Sequence, residues 1–156
     1  MSERTVEHGS FTIERTFEAP PARVFAAWAD PKAKAAWFAG PEGQWKQLVR
    51  QMEFRIGGRE KLKGEFAAGR VSEFDASYHD IVTNRRIVYS YTMQVDEKRI
   101  SVSLATIEFE PVAGGKTKLI LTEQGAYLDG GFDGNAGREK GTRGLIDNLE
   151  RFVAQS

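Results

Sequence analysis

The chain has 156 residues, 40% of them hydrophobic, which suits one domain with a real core. Lysine plus arginine and aspartate plus glutamate number 22 each, so the formal net charge is zero, which argues against a general nucleic-acid binder with its basic surface. Cysteine is absent, and His8 and His79 lie far apart without metal-ligand spacing, so disulfides, thiolate chemistry and a metal site are not expected.

Met1 to Gly9 is polar, has no apolar signal core, and reads as a flexible N-terminus. No apolar run approaches the ~20 residues that span a bilayer. The expectation is a soluble, cytoplasmic protein with no cofactor, a single domain covering residues 10–156.

From Ser10 to Ala19 the chain alternates, with Phe11, Ile13, Arg15 and Phe17 on one face. This predicts a half-buried strand. Arg15 is the odd member of that face. Either it snorkels to water near the strand end, or it points into a polar pocket with a partner. Pro20-Pro21 ends the strand, and Pro21 suits a helix start. Val24, Phe25 and Trp28 then form an apolar stripe, and a second short helix follows over Lys32 to Phe38.

Six strands come next: Trp45 to Ile56, Arg59 to Ala67, Arg70 to Val82, Arg85 to Met93, Arg99 to Glu110 and Lys116 to Gln124. Their short connections imply an antiparallel meander. Its greasy face needs a cover, and the one long element left is the C-terminal helix. The sheet should therefore curl around that helix.

Asp133 and Asn135 both precede the first helical turn and are candidate caps. Leu145, Leu149 and Phe152 recur at helical spacing, with Ile146 and Val153 widening the stripe. Arg138 and Gly141 share the face of Leu145, Leu149 and Phe152 in a regular helix. Gly141 and Gly144 each cost roughly 0.5–1 kcal/mol against alanine inside a helix. They serve either close helix–sheet packing or a missing wall that leaves room over the sheet.

The segments EAPPARVFAAWADPKAKAAWF, MEFRIGGRE and IEFEPVAGGKTKLILTEQG, followed by a helix bearing Gly141, Leu145 and Leu149, resemble one known family. It is the bacterial branch of the activator-of-Hsp90-ATPase-like family, in the START/polyketide-cyclase (Bet v-like) superfamily. The resemblance covers about Phe11 to Val153. It implies an α+β helix-grip fold: a curved seven-stranded antiparallel sheet around a long C-terminal helix, with two short helices after the first strand. It also implies a cavity between helix and sheet. Many members carry Gly-Trp at the helix start, whereas here Thr142 follows Gly141.

Under that fold the first and last strands are neighbours. Arg15 and Glu123 each interrupt an apolar inward face, so the two are expected to approach one another. The candidate lining of the cavity is Trp37, Phe38, Phe54, Tyr78, Tyr89, Tyr91, Met93, Phe132 and Arg138, beside Gly141 and with Arg15 and Glu123 as polar members. Tyrosines carry most weight, because a buried hydroxyl wants a partner. His79 follows Tyr78 on a strand, so the two face opposite ways and the histidine is expected at the surface.

Three functions are consistent with these residues. The first is a binding protein for a small apolar or amphipathic molecule, lipid-like or polyketide-like, with Arg138 or Arg15 orienting a polar end. The second is a cyclase, dehydratase or hydrolase in the same cavity, for which Glu123, His79 and Tyr89 are the available acid–base groups. The third is a co-chaperone of an Hsp90-type ATPase. Val88, Val102 and Leu104 are expected to face away from the core, where a homodimer could form.

Overall fold

The computed structural model describes residues 4–155. Among these, seven strands and three α-helices follow one another. They are β1 (Val6–Phe17), α1 (Pro21–Ala29), α2 (Pro31–Trp37), β2 (Trp45–Met52), β3 (Arg59–Phe66), β4 (Val71–Val82), β5 (Arg86–Val95), β6 (Lys98–Val112), β7 (Lys116–Leu128) and α3 (Gly134–Gln155). The strands form one antiparallel sheet in the order β1-β7-β6-β5-β4-β3-β2. This is the helix-grip fold that the family resemblance implies.

Strand alternation builds the inner face. Phe11, Ile13 and Phe17 of β1, Leu119 and Leu121 of β7, Ala105, Ile107 and Phe109 of β6, and Ile87, Tyr89 and Tyr91 of β5 are all buried. Val102 and Leu104 are exposed on the outer face, as their parity requires. From α3 the buried side chains are Ile146, Leu149 and Val153, while Leu145 and Phe152 are only partly covered. The buried stripe is thus rotated from the expected one by about one residue.

Helix α3 rests on β1 and β7, with α1 and α2 beside it. Arg23 donates to the Val153 carbonyl, and Asn148 Nδ2 donates to the Trp37 carbonyl at 3.3 Å. Because α3 sits toward one end of the sheet order, the inner face of β4 and β5 is less fully covered.

Two sequence expectations need correction at the N-terminus. Val6 to Gly9, expected to be flexible, continue β1 and pair with Leu128 to Gly125. Met1 to Glu3 lie outside the described residues. Asn135 does not cap α3 with its side chain. Asp133 lies in a short 3-10 turn at φ 60°, and the Asn135 N–H is accepted by Glu7 Oε2 of β1 at 3.1 Å. Asn135 instead anchors the helix start: its Nδ2 donates to the Ser10 carbonyl, and its Oδ1 accepts from Tyr127 Oη. Gly9 permits this approach, since a Cβ there would lie 2.4 Å from Asn135 Cγ.

Candidate functional site

An open recess of ≈ 590 Å³ lies between α3 and the inner face of the sheet. Its apolar wall comes from Trp28, Trp37, Phe38, Phe74, Tyr89, Met93 and Leu121. The helix side carries Gly141, Thr142, Gly144 and Leu145. The two glycines decide between the packing and missing-wall explanations. A Cβ added at either meets nothing within 4 Å. No neighbour requires glycine there, and what glycine leaves is open space.

Past Phe66, Met93 and Arg138 the recess meets a second depression of ≈ 780 Å³, which reaches Val95, Ile100, Arg70 and Lys140. The two share Gly141 and Gly144. The apolar groove therefore opens toward a charged rim that carries Arg70, Lys140 and Asp133.

One polar cluster sits in the recess wall. Tyr91 Oη donates to Glu123 Oε2 at 2.8 Å, and Arg138 Nη1 donates to Tyr91 Oη at 2.8 Å. Arg138 Nη2 also donates to Ser101 Oγ at 2.7 Å. The Arg138–Glu123 separation of 3.7 Å is an ion pair rather than a hydrogen bond. The guanidinium also stands 5.4 Å from the Tyr91 ring and 5.5 Å from the Tyr127 ring. Burial pushes the Glu123 carboxyl above the usual carboxylate range; the bonds from Tyr91, Arg138 and Ser103 oppose this without cancelling it. Burial and the Glu123 charge push the Tyr91 phenol far up. Burial disfavours the Arg138 cation, but Tyr91 and Glu123 outweigh it and hold its pKa above the ordinary value. The cluster is therefore a fixed cation, a neutral phenol and a carboxyl group poised to titrate.

A second buried cluster lies behind the recess. Lys34 Nζ meets Glu60 Oε1 at 2.6 Å, with both side chains almost fully buried, and Tyr78 Oη donates to the same oxygen. The Lys34 ammonium also stands 4.6 Å from the Phe38 ring. Burial lowers the Lys34 pKa against the pull of Glu60.

Of the residues singled out from sequence, Trp37, Phe38, Tyr89, Tyr91, Met93, Glu123, Arg138 and Gly141 all line the recess. Phe54 and Tyr78 do not. They stack on one another at 5.1 Å behind it, and Tyr78 is committed to Glu60. The Phe132 side chain lies outside the described residues. Arg15 does not approach Glu123. Its Nη1 binds Asp147 Oδ1 at 2.9 Å and Glu150 Oε1 at 2.8 Å, both on α3. Strand register explains the correction, because Arg15 pairs with Leu119 whereas Glu123 pairs with Phe11, two inward repeats away. His79 is exposed and bonds Ser90 Oγ at 2.6 Å.

Trp28, Phe74 and Leu121 were not singled out, nor was the Lys34–Glu60 pair. Glu60 shares inward parity with Leu62 on β3, a signal the sequence does carry.

The family described as activator of Hsp90 ATPase homolog 1-like protein matches residues 18–154. The chain belongs to this family. Among solved structures, an uncharacterized protein from Rhizobium leguminosarum is 45% identical, with a TM-score of 0.91 over 99% of this chain and 100% of its own. The Mll3558 protein from Rhizobium loti is 40% identical, with a TM-score of 0.86 over 95% of this chain and 99% of its own. A Chromobacterium violaceum protein is 28% identical, with a TM-score of 0.73 over 92% of this chain and 96% of its own. No curated protein matches the chain. Among the described residues no helix of this family member is long and apolar enough to cross a membrane.

Proposed function

We propose that this protein binds a small apolar or amphipathic molecule in the recess between α3 and the sheet. Family and fold fit a ligand-binding or co-chaperone-like domain. The observation that favours binding is the pair Gly141 and Gly144. Each weakens the helix by roughly 0.5–1 kcal/mol, and no close contact compensates. Space kept at the expense of helix stability suits a container. Arg138 and Tyr91 would meet the polar end of the molecule.

The test compares wild type with Gly141→Leu, which sets a bulky side chain where a Cβ meets nothing within 4 Å. Native protein is examined by mass spectrometry for a co-purified molecule and by thermal shift against apolar and amphipathic compounds. A cognate compound at a hundredfold excess over Kd adds about 2.7 kcal/mol of stability. Wild type should respond and Gly141→Leu should not, while still melting cooperatively. Equal responses from both proteins, or none from wild type across the library, would sink the proposal.

One observation favours a second, enzymatic use of the same recess. Glu123 is a buried carboxyl with a raised pKa in the recess wall, as general acid–base work requires. Turnover of a bound compound that Glu123→Gln abolishes, with binding intact, would select it.

A further inference from the structure

Tyr89 carries a hydroxyl that no other group of the protein engages. The residue is 5% exposed and lines the recess. Buried hydroxyls are nearly always paired. Among the described residues Tyr89 Oη has no hydrogen-bond partner, yet it is not sealed. Trp28 Nε1 is the one side-chain nitrogen or oxygen there that is both unpaired and closed to solvent. The Tyr89 ring is flanked by Phe74, Tyr78 and Tyr91, at 6.3, 6.0 and 6.0 Å between centroids, and by the Lys34 ammonium at 5.7 Å. The recess is therefore the way in to the hydroxyl.

The other polar groups of the recess wall are engaged. Tyr91 Oη donates to Glu123 and accepts from Arg138. The Glu123 carboxyl takes that bond and stands 3.7 Å from the Arg138 guanidinium, which also donates to Ser101. Asn148 donates to the Trp37 carbonyl and accepts from Arg151. Thr142 is only half-buried on the helix side. A molecule that approaches Tyr91, Glu123 or Arg138 competes with bonds the protein already makes. At Tyr89 it competes with water alone. Burial, with Tyr91 and Glu123 nearby, pushes the Tyr89 phenol well up, so it stays neutral.

Resting on the container reading above, we infer that the bound molecule carries a neutral oxygen, a ketone carbonyl or a hydroxyl, on its apolar skeleton, and that Tyr89 Oη pairs with it. The phenol donates to a carbonyl, and it donates to or accepts from a hydroxyl. A bare hydrocarbon strips water from Tyr89 and returns nothing. A charged molecule has to leave water for a wall whose two charges already compensate one another.

Five probes on one ring system separate these cases: tetralin, 1-tetralone, 1-tetralol, 1-aminotetralin and tetralin-1-carboxylate. Their affinities for full-length wild type and Tyr89→Phe are measured by calorimetry. Tyr89→Phe should weaken 1-tetralone and 1-tetralol roughly three- to tenfold, the worth of one net hydrogen bond, and leave tetralin unchanged. A merely structural role would move tetralin as well. The variant should keep the wild-type melting temperature, because the oxygen it removes holds no protein group. On wild type the ammonium and carboxylate probes should bind at least about tenfold more weakly than 1-tetralol.

An equal change for tetralin, 1-tetralone and 1-tetralol, or no change for any of them, overturns the inference and leaves the container standing. A charged probe that outbinds 1-tetralol does the same. A Tyr89→Phe protein that misfolds or melts far lower overturns it too, since the hydroxyl would then be holding the fold. If none of the five binds wild type, the inference falls; the Gly141→Leu comparison above then decides the container separately.

Discussion

Glu123 of β7 and Arg138 of α3 face each other across the gap between sheet and helix, Oε2 to Nη1 at 3.7 Å, with Tyr91 bridging them. The pair ties the thin half of the helix to the sheet at the recess wall. Arg138→Met removes one partner and leaves the buried carboxylate behind. Removing one partner of a buried pair typically destabilises by about 3–5 kcal/mol, and the lower end, about 3 kcal/mol, is expected for this looser pair. Arg138→Met/Glu123→Gln should be more stable than Arg138→Met alone, because no uncompensated charge is left. Urea unfolding of the cycle measures this, and strictly additive effects would mean the two do not interact.

The same carboxyl sets a pH dependence. Burial raises the folded-state pKa of Glu123 above its unfolded value. A raised carboxyl contributes stability that is fully present below the unfolded pKa, near ~4.3, and is lost as pH rises through the folded one. Wild type should therefore gain on Glu123→Gln as pH falls through that window. Urea midpoints for both proteins across the window test it. Parallel curves would mean that Glu123 titrates normally.

The fold was legible because each level of pattern agreed: alternation along every strand, short connections and one long helix left to cover the sheet. The recess was legible for the same reason. Tyr89, Tyr91 and Glu123 follow from strand parity once the covering helix is placed. Arg15 shows where this stops. Parity put Arg15 and Glu123 on the same inner surface, but parity carries no distance along the strand, and α3 supplied nearer carboxylates in Asp147 and Glu150. The Lys34–Glu60 pair was harder to see: parity with Leu62 turns Glu60 inward, but nothing local joins that strand position to Lys34 on a short helix.

Behind the recess, Lys34→Met would strand Glu60 with only the Tyr78 hydroxyl in direct contact. A loss of about 3–5 kcal/mol is expected, toward the smaller figure because the Arg50 charge also acts on Glu60. Lys34→Met/Glu60→Leu/Tyr78→Phe takes out the whole cluster. It should return to within about 2 kcal/mol of wild type, as buried ion pairs replaced by apolar groups commonly do. Thermal melts of the single and triple variants check this. A triple variant less stable than the single one would make the cluster a net stabiliser.

The glycines of α3 allow a prediction in which stability and function move in opposite directions. Gly141 and Gly144 are exposed, neither has the positive φ that alone would demand glycine, and an added Cβ at either meets nothing. Alanine should therefore stabilise the helix by roughly 0.5–1 kcal/mol at each position, through helix propensity and a less flexible unfolded chain. A glycine serving tight packing would give the opposite sign, because the methyl group would force the helix off the sheet. Yet each methyl group intrudes on the recess, so Gly141→Ala/Gly144→Ala should melt higher and bind its ligand more weakly. Urea unfolding supplies the first quantity and titration with a compound that shifts the wild-type melt supplies the second. A double variant that is both more stable and equally good at binding would show that the open space beside α3 is not where the ligand sits. A destabilised one would mean the space is not open at all.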